Sequence, residues 1–216
     1  MESTNYHLDE LRIASTPGHA HRILPPVLNT DQTILDVGCG AGQTLIATAF
    51  SPGTTVIGLD RDESALHLGR QLDATIRFVC ARGQSLPFQS ERLDFVFSRV
   101  ALPYMHLSDT LSEIFRILKS RGRIWLVLHP YSMVLNETLQ ALYRLRVMRA
   151  AVCLYALSNG IVLNTVGKEF HLPFRRHYYE SFQTVRGIQK LLRRAGFEDI
   201  QAERNRFFVA TARKPA

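Results

Sequence analysis

The sequence predicts an α/β fold: a doubly wound, seven-stranded, mostly parallel sheet with a C-terminal antiparallel hairpin and a helical insertion after the fifth strand. Three observations carry this expectation. Five short apolar runs, at 33–37, 55–60, 76–80, 92–97 and 123–128, alternate with helix-type stretches, the pattern of parallel strands covered on both faces. The first run ends in a glycine triplet suited to a tight strand-to-helix turn. The chain closes with an amphipathic helix, Thr184 to Ala195, a stop at Gly196, and two last runs, Phe197 to Ala202 and Arg206 to Ala212, that read as the hairpin.

The first run and its turn are Ile34-Leu-Asp-Val-Gly-Cys-Gly-Ala-Gly42. Glycine at 38, 40 and 42 permits positive φ and lets a ligand approach the main chain closely, so the turn reads as a nucleotide-type cofactor loop with Cys39 inside it. The dinucleotide spacing G-x-G-x-x-G is absent, because the glycines fall at every second position. Asp36 ends a buried strand, where a carboxylate is costly unless a cation or a donor meets it. An aminoacyl ammonium group would do so. After a helical stretch at Thr44 to Phe50 and the breaker Ser51-Pro52-Gly53, the second run ends in Asp60, 18 positions beyond Gly42. An acid at that distance, on the tip of the neighbouring strand, is placed to accept from both ribose hydroxyls. Arg61 shares that tip, and Asp62 stands ready to cap a helix over Glu63 to Leu72.

Leu35 to Gly42 resembles motif I of the class I S-adenosylmethionine (SAM) dependent methyltransferases, and the likeness continues along the chain. Ser85-Leu-Pro-Phe88 with Arg92-Leu-Asp-Phe-Val-Phe-Ser98 is similar to the family's run into its fourth strand. Ser112 to Gly122 is similar to the helix and turn before its fifth strand, with Ser120 and Arg121 where members carry Pro-Gly. The resemblance covers about residues 30 to 130 and is to the small-molecule, type 11 or UbiE-like branch. It implies a Rossmann-like class I methyltransferase domain over 1–216, SAM as cofactor and S-adenosylhomocysteine as product. It also implies that Asp36 faces the methionine end of the cofactor, and that Gly38, Cys39, Gly40, Gly42, Asp60, Arg61, Arg82, Gly83, Gln84 and Ser98 complete the cofactor site. One departure stands out. The family's third motif has an Asp beside the adenine, where this chain has Arg82 in Cys80-Ala-Arg-Gly-Gln84. Arginine has donors only and cannot accept from the exocyclic amine; it can stack on the adenine or pair with Asp60 or Asp62, leaving Gln84 as an acceptor.

With 216 residues, 46% hydrophobic and 21% charged, the chain suits one soluble domain. Met1 to Glu10 is polar, unlike a signal or transit peptide, and no run holds the roughly 18 apolar residues that span a bilayer. Cys39, Cys80 and Cys153 lack metal-ligand spacing, so neither metal nor disulfide is expected and the setting reads as cytoplasmic. The net charge of +7 is spread over Arg116, Lys119, Arg121 and Arg123, over Arg144, Arg146 and Arg149, and over Lys190, Arg193 and Arg194. No Arg-rich tail accompanies these residues, so nucleic acid is not the expected partner.

Residues 129–183 exceed what a strand-to-helix connection needs and read as a helical insertion or lid. Within it, Met133 to Leu157 predicts one long or kinked helix that stops at Asn159-Gly160. So apolar a helix must bury itself against the domain, a second copy in a homodimer, a lipid-like substrate or a membrane surface. Methyl transfer by SN2 needs the acceptor close and in line, and a base only where the acceptor is protonated. His129, just after strand five, and His106, just after strand four, are the candidate bases. Tyr104, Tyr131, Arg175 and Arg176 are candidate substrate contacts, the arginines within a cationic and aromatic cluster, His171 to Tyr179, able to clamp an anion. The reading favoured is methyl transfer to a small-molecule acceptor, with O-methylation ahead; an RNA methyltransferase and a non-catalytic SAM-binding partner subunit are the alternatives.

Overall fold

Residues 2–171 and 179–216 are described by a computed structural model. Five parallel strands, β1 (Thr33–Val37), β2 (Thr55–Asp60), β3 (Arg77–Cys80), β4 (Leu93–Arg99) and β5 (Leu118–Leu128), precede a terminal pair, β6 (Glu198–Arg204) and β7 (Phe208–Arg213). The sheet order is β3-β2-β1-β4-β5-β7-β6, and β7 inserts antiparallel between β5 and β6. Helices α1 (Glu2–Ser15), α2 (Gln43–Ala47), α3 (Glu63–Leu72), α4 (Leu107–Ile117), α5 (Tyr131–Tyr143), α6 (Val147–Val166) and α7 (Val185–Arg194) surround it.

The two-residue strand period explains the two cores. Leu35, Val37 and Val96 join Leu111 and Ile114 of α4 and Ile188 and Leu192 of α7. Their neighbours Ile34, Phe95 and Phe97 point the other way, into a cluster with Leu45 of α2, Leu66 of α3 and Trp125. The strand order reverses between β1 and β4, and such a reversal opens a crevice at the carboxyl ends of the strands.

Several elements differ from the sequence-based expectation. The segment before strand five is helical only to Ile117, and pairing begins at Leu118. Arg121, in the turn where Pro-Gly is usual, has φ +63°, and its N–H donates to the Lys214 carbonyl at 3.1 Å. The C-terminal tail thus draws this turn into the sheet. The α2 segment is short because Thr48 is already extended.

The insertion holds two helices rather than one, broken at 144–146, where Leu145 takes φ +51°. Nor does α6 stop at Asn159-Gly160. It runs on to Gly167, whose φ of +76° ends it while its N–H returns to the Leu163 carbonyl at 2.9 Å. Asn159 and Gly160 serve packing instead. Buried Asn159 donates to the Glu180 carbonyl (3.1 Å) and accepts from the Phe170 N–H (3.0 Å). Asn164, one turn later, binds the Phe182 carbonyl and the Thr184 N–H. By length and composition α6 would suffice to cross a bilayer, yet this amide stripe fastens it to residues 180–184.

Gly160 sits where a Cβ would lie 2.3 Å from Cδ1 of Phe182. Alanine normally gains about 1 kcal/mol over glycine inside a helix, but the clash reverses the sign. Gly160→Ala is expected to lower unfolding stability by about 1–3 kcal/mol, the cost of overpacking, as read from urea denaturation.

Candidate active site

The glycine loop is bound to the end of β2. The N–H groups of Gly38 and Cys39 both donate to the Leu59 carbonyl, at 2.7 and 3.0 Å. The Gly40 N–H donates to Oδ2 of Asp60 at 2.8 Å, and Oδ1 of the same carboxylate accepts from the Asp62 N–H at 3.0 Å. Asp62, not Asp60, caps α3, accepting from Ser64 and Ala65. The two acids therefore divide the labour that the sequence left open. Gly38, Gly40 and Gly42 have φ of +81°, +57° and +78°. A Cβ on Gly38 would lie 2.2 Å from that of Ala101, whereas one on Gly42 would strike the Phe78 ring at 2.8 Å. Gly38 thus keeps the cleft open, and Gly42 permits packing behind it. Cys39 is buried, its Sγ 3.4 Å from the Gly40 carbonyl, and burial pushes its thiol well up.

Asp36 lies buried beside this loop, and its Oδ1 has no hydrogen-bond partner. Burial raises its pKa to about 8; Arg99 opposes the rise and Asp60 adds to it. Arg99 does not neutralise Asp36 outright because it is engaged elsewhere, in an ion pair with Glu10 and a hydrogen bond to Oγ1 of Thr44 at 3.1 Å. An orphaned carboxylate oxygen suits a ligand cation, and the ammonium of SAM has the required chemistry.

Helix α1, which the sequence reading did not identify, covers this end. Nδ1 of His7 lies 2.7 Å from Nε2 of Gln43, and the Glu10 pair with Arg99 adds a second tie. The available signal was the spacing of His7, Leu11 and Ala14 at i, i+4 and i+7, faint because most other positions are polar.

Two cavities meet at Gly38, Asp60, Ala101 and Tyr104. The smaller, about 220 Å³, is lined by Tyr6, His7, Asp36, Cys39, Gly40 and Arg99. The larger, about 430 Å³, has Arg61, Arg82, Gly83 and Gln84 on one wall and Met105, His106, Asp109 and Tyr179 on the other. A charged end thus joins a nucleoside-sized space at the switch point of the sheet. Arg82 is exposed on the cavity wall and forms no ion pair with Asp60 or Asp62 among the described residues.

The candidate bases separate. His106 lines the larger cavity, with Nδ1 2.9 Å from Oδ2 of Asp109 and its ring edge-on to Tyr179. It stands at the N-terminus of α4 without capping it through its side chain. That duty falls to Glu169 from the insertion, which accepts from the Leu107 N–H and from the Ser181 hydroxyl. Burial lifts Glu169 to about 7, and no sequence motif announced it. His129, in contrast, lies behind Tyr104, rings 5.3 Å apart, and lines neither cavity. Its burial pushes the pKa down to about 4, so the expectation that it serves as a base is corrected.

Ser98 is corrected as well. It is buried on β4, donates to the Val37 carbonyl at 2.7 Å and stitches β4 to β1 rather than lining either cavity. Tyr131 packs edge-on to Phe182 and beneath Arg204, away from the cleft. Tyr104 does line both cavities. Arg175 and Arg176, with His177 and Tyr178, lie outside the described residues.

The Asp36 geometry yields a signed prediction. A buried acid whose native pKa is raised stabilises the fold least once it ionises, so stability falls as pH climbs from the ordinary carboxylate range to about 8. Asp36→Asn removes that slope. In urea titrations without ligand the variant is expected to gain about 2 kcal/mol or more on the parent chain across this window, while losing ligand affinity.

The methyltransferase domain family matches residues 35–126. The uncharacterized methyltransferase YcgJ of Bacillus subtilis (strain 168) is 35% identical over 127 residues, 54% of this chain and 49% of that one. A demethylmenaquinone methyltransferase of Lactococcus lactis subsp. lactis is 26% identical over 193 residues, covering 82% of this chain and 69% of the relative. The chain thus spans about half the length of the first of these relatives. In fold, human N-acetylserotonin methyltransferase, solved with SAM, superposes over 100% of this chain and 56% of its own with a TM-score of 0.63 and 18% identity.

Proposed function

We propose that the chain is a class I SAM-dependent methyltransferase of the type 11 kind, as the match over residues 35–126 and the Bacillus relative support, and that it transfers the methyl group of SAM to a hydroxyl of a small organic acceptor. One observation carries this reading: the orphaned Asp36 carboxylate and the Asp60-bound loop occupy one end of a cleft whose other end exposes the His106–Asp109 pair. When bound, SAM supplies a methyl already activated by a sulfonium, with a neutral leaving group.

The chain's own residues have correspondingly few tasks. Asp36 would hold the ammonium, whose charge would favour the ionised carboxylate. Asp60 has used two of its four lone-pair sites on Gly40 and Asp62, and the rest are available to ribose hydroxyls. Arg82 and Gln84, both on the wall of the larger cavity, would hold the adenine, the guanidinium by stacking and the amide as acceptor, in place of the acid usual in this family. His106 takes the acceptor's proton; the Asp109 carboxylate, 2.9 Å from Nδ1 but outside hydrogen-bond geometry, favours the imidazolium that results. The Tyr104 phenol, pushed up to about 12 by burial and by Glu180 and Glu137, stays a donor at neutral pH and orients the acceptor. The Lactococcus relative's name denotes a small-molecule acceptor, which supports that class here. A cytoplasmic setting goes with this reading.

Isothermal titration with SAM and S-adenosylhomocysteine tests the premise. Saturable binding of both, abolished in Asp60→Ala, is expected; no binding by the parent chain overturns it. The base assignment is tested separately with a panel of phenols and alcohols. His106→Ala is expected to lower kcat by about 10²-fold or more with SAM affinity retained, and Asp109→Asn to produce a smaller loss. Equal rates in all three proteins would refute it.

A further inference from the structure

The turn joining α5 to α6 exposes an unusual surface. Tyr143, Leu145, Val147 and Met148 are 90, 86, 77 and 80% exposed, a density of bare apolar side chains that marks an interaction site. Arginines at 144, 146 and 149 interleave with them, and residues 138–168 contain no Asp or Glu. Arg144, Arg146 and Arg149 also bound a notch of about 180 Å³ between the two helices. Glu137 forms its back wall and pairs with Arg149 at 2.5 Å; Arg144 and Arg146 enter no ion pair among the described residues.

We propose that this turn docks on an anionic lipid surface, with its apolar side chains in the interfacial layer and its arginines on headgroup phosphates. Charge complementarity selects this occupant. A negatively charged leaflet attracts each Arg near it and offers an apolar layer directly beneath the phosphates, so both halves of the patch are satisfied together. Tyrosine beside aliphatic residues is the composition that favours this depth. A second copy of the chain would bring two such arginine clusters face to face. A nucleic acid would meet the arginines but leave Leu145 and Met148 in water. The attachment is interfacial rather than spanning, because Asn159 and Asn164 hold α6 to residues 180–184. It is also separate from the cofactor cleft, whose lining includes no residue of the turn.

Vesicle sedimentation of the full chain tests the proposal, comparing phosphatidylcholine alone with phosphatidylcholine mixed with phosphatidylglycerol, at low and high salt. Partitioning about tenfold stronger onto the anionic vesicles, weakened by salt, is expected. L145E/M148E and R144A/R146A should each lose about tenfold of it with unchanged far-UV circular dichroism; all four positions are exposed, so folding is spared. The proposal is overturned if the parent chain stays in the supernatant, or if the variants sediment equally. It is likewise overturned if light scattering finds a dimer that L145E/M148E splits without any vesicle binding, which would make the patch a protein contact.

Discussion

The end of β2 organises everything around it. The Leu59 carbonyl and the Asp60 carboxylate hold three successive N–H groups of the glycine loop, so the loop between β1 and α2 cannot relax toward an ordinary turn. This fixes Gly38 against Ala101 and sets both the floor of the cleft and the direction in which Asp36 faces. A ligand that binds here is therefore met by a preformed backbone, which lowers the ordering cost of binding.

The loop's rigidity comes with an electrostatic conflict. Asp36 and Asp60 repel one another, and Arg99 answers only in part because Glu10 and Thr44 also claim it. A fold built for stability alone would not bury Asp36 with an unpartnered oxygen. The conflict leaves one carboxylate oxygen of Asp36 buried without a partner at one defined spot of the cleft. Helix α1 belongs to the same arrangement, since its Glu10 shares Arg99 and its His7 closes over Gly40 and Gln43.

The insertion reaches the same site from the opposite side. Glu169 caps α4 just where His106 begins it, and Ser181 holds the Glu169 carboxyl. The position of His106 is thus determined by residues about sixty positions later in the chain, a dependence no local pattern reveals.

What the sequence determined by itself is whatever local chemistry dictates. The order of strands and helices follows from alternation and breakers. The glycine loop follows from a backbone that side chains would block, and the placing of Asp36 and Asp60 at the ends of β1 and β2 follows from the apolar runs before them. Tertiary structure decided the rest. His129 and His106 look equivalent in the sequence, each just after a strand, but packing behind Tyr104 removes one while the cavity keeps the other. Ser98 looks like a cleft residue until its hydroxyl is found bonded to Val37. Asn159-Gly160 reads as a helix stop because those residues end isolated helices, yet here Phe182 fills the space beside Gly160 and the amide binds residues 170 and 180. In each case the deciding partner is distant in the chain, and the free energy of burying a group depends on that partner rather than on its neighbours in sequence.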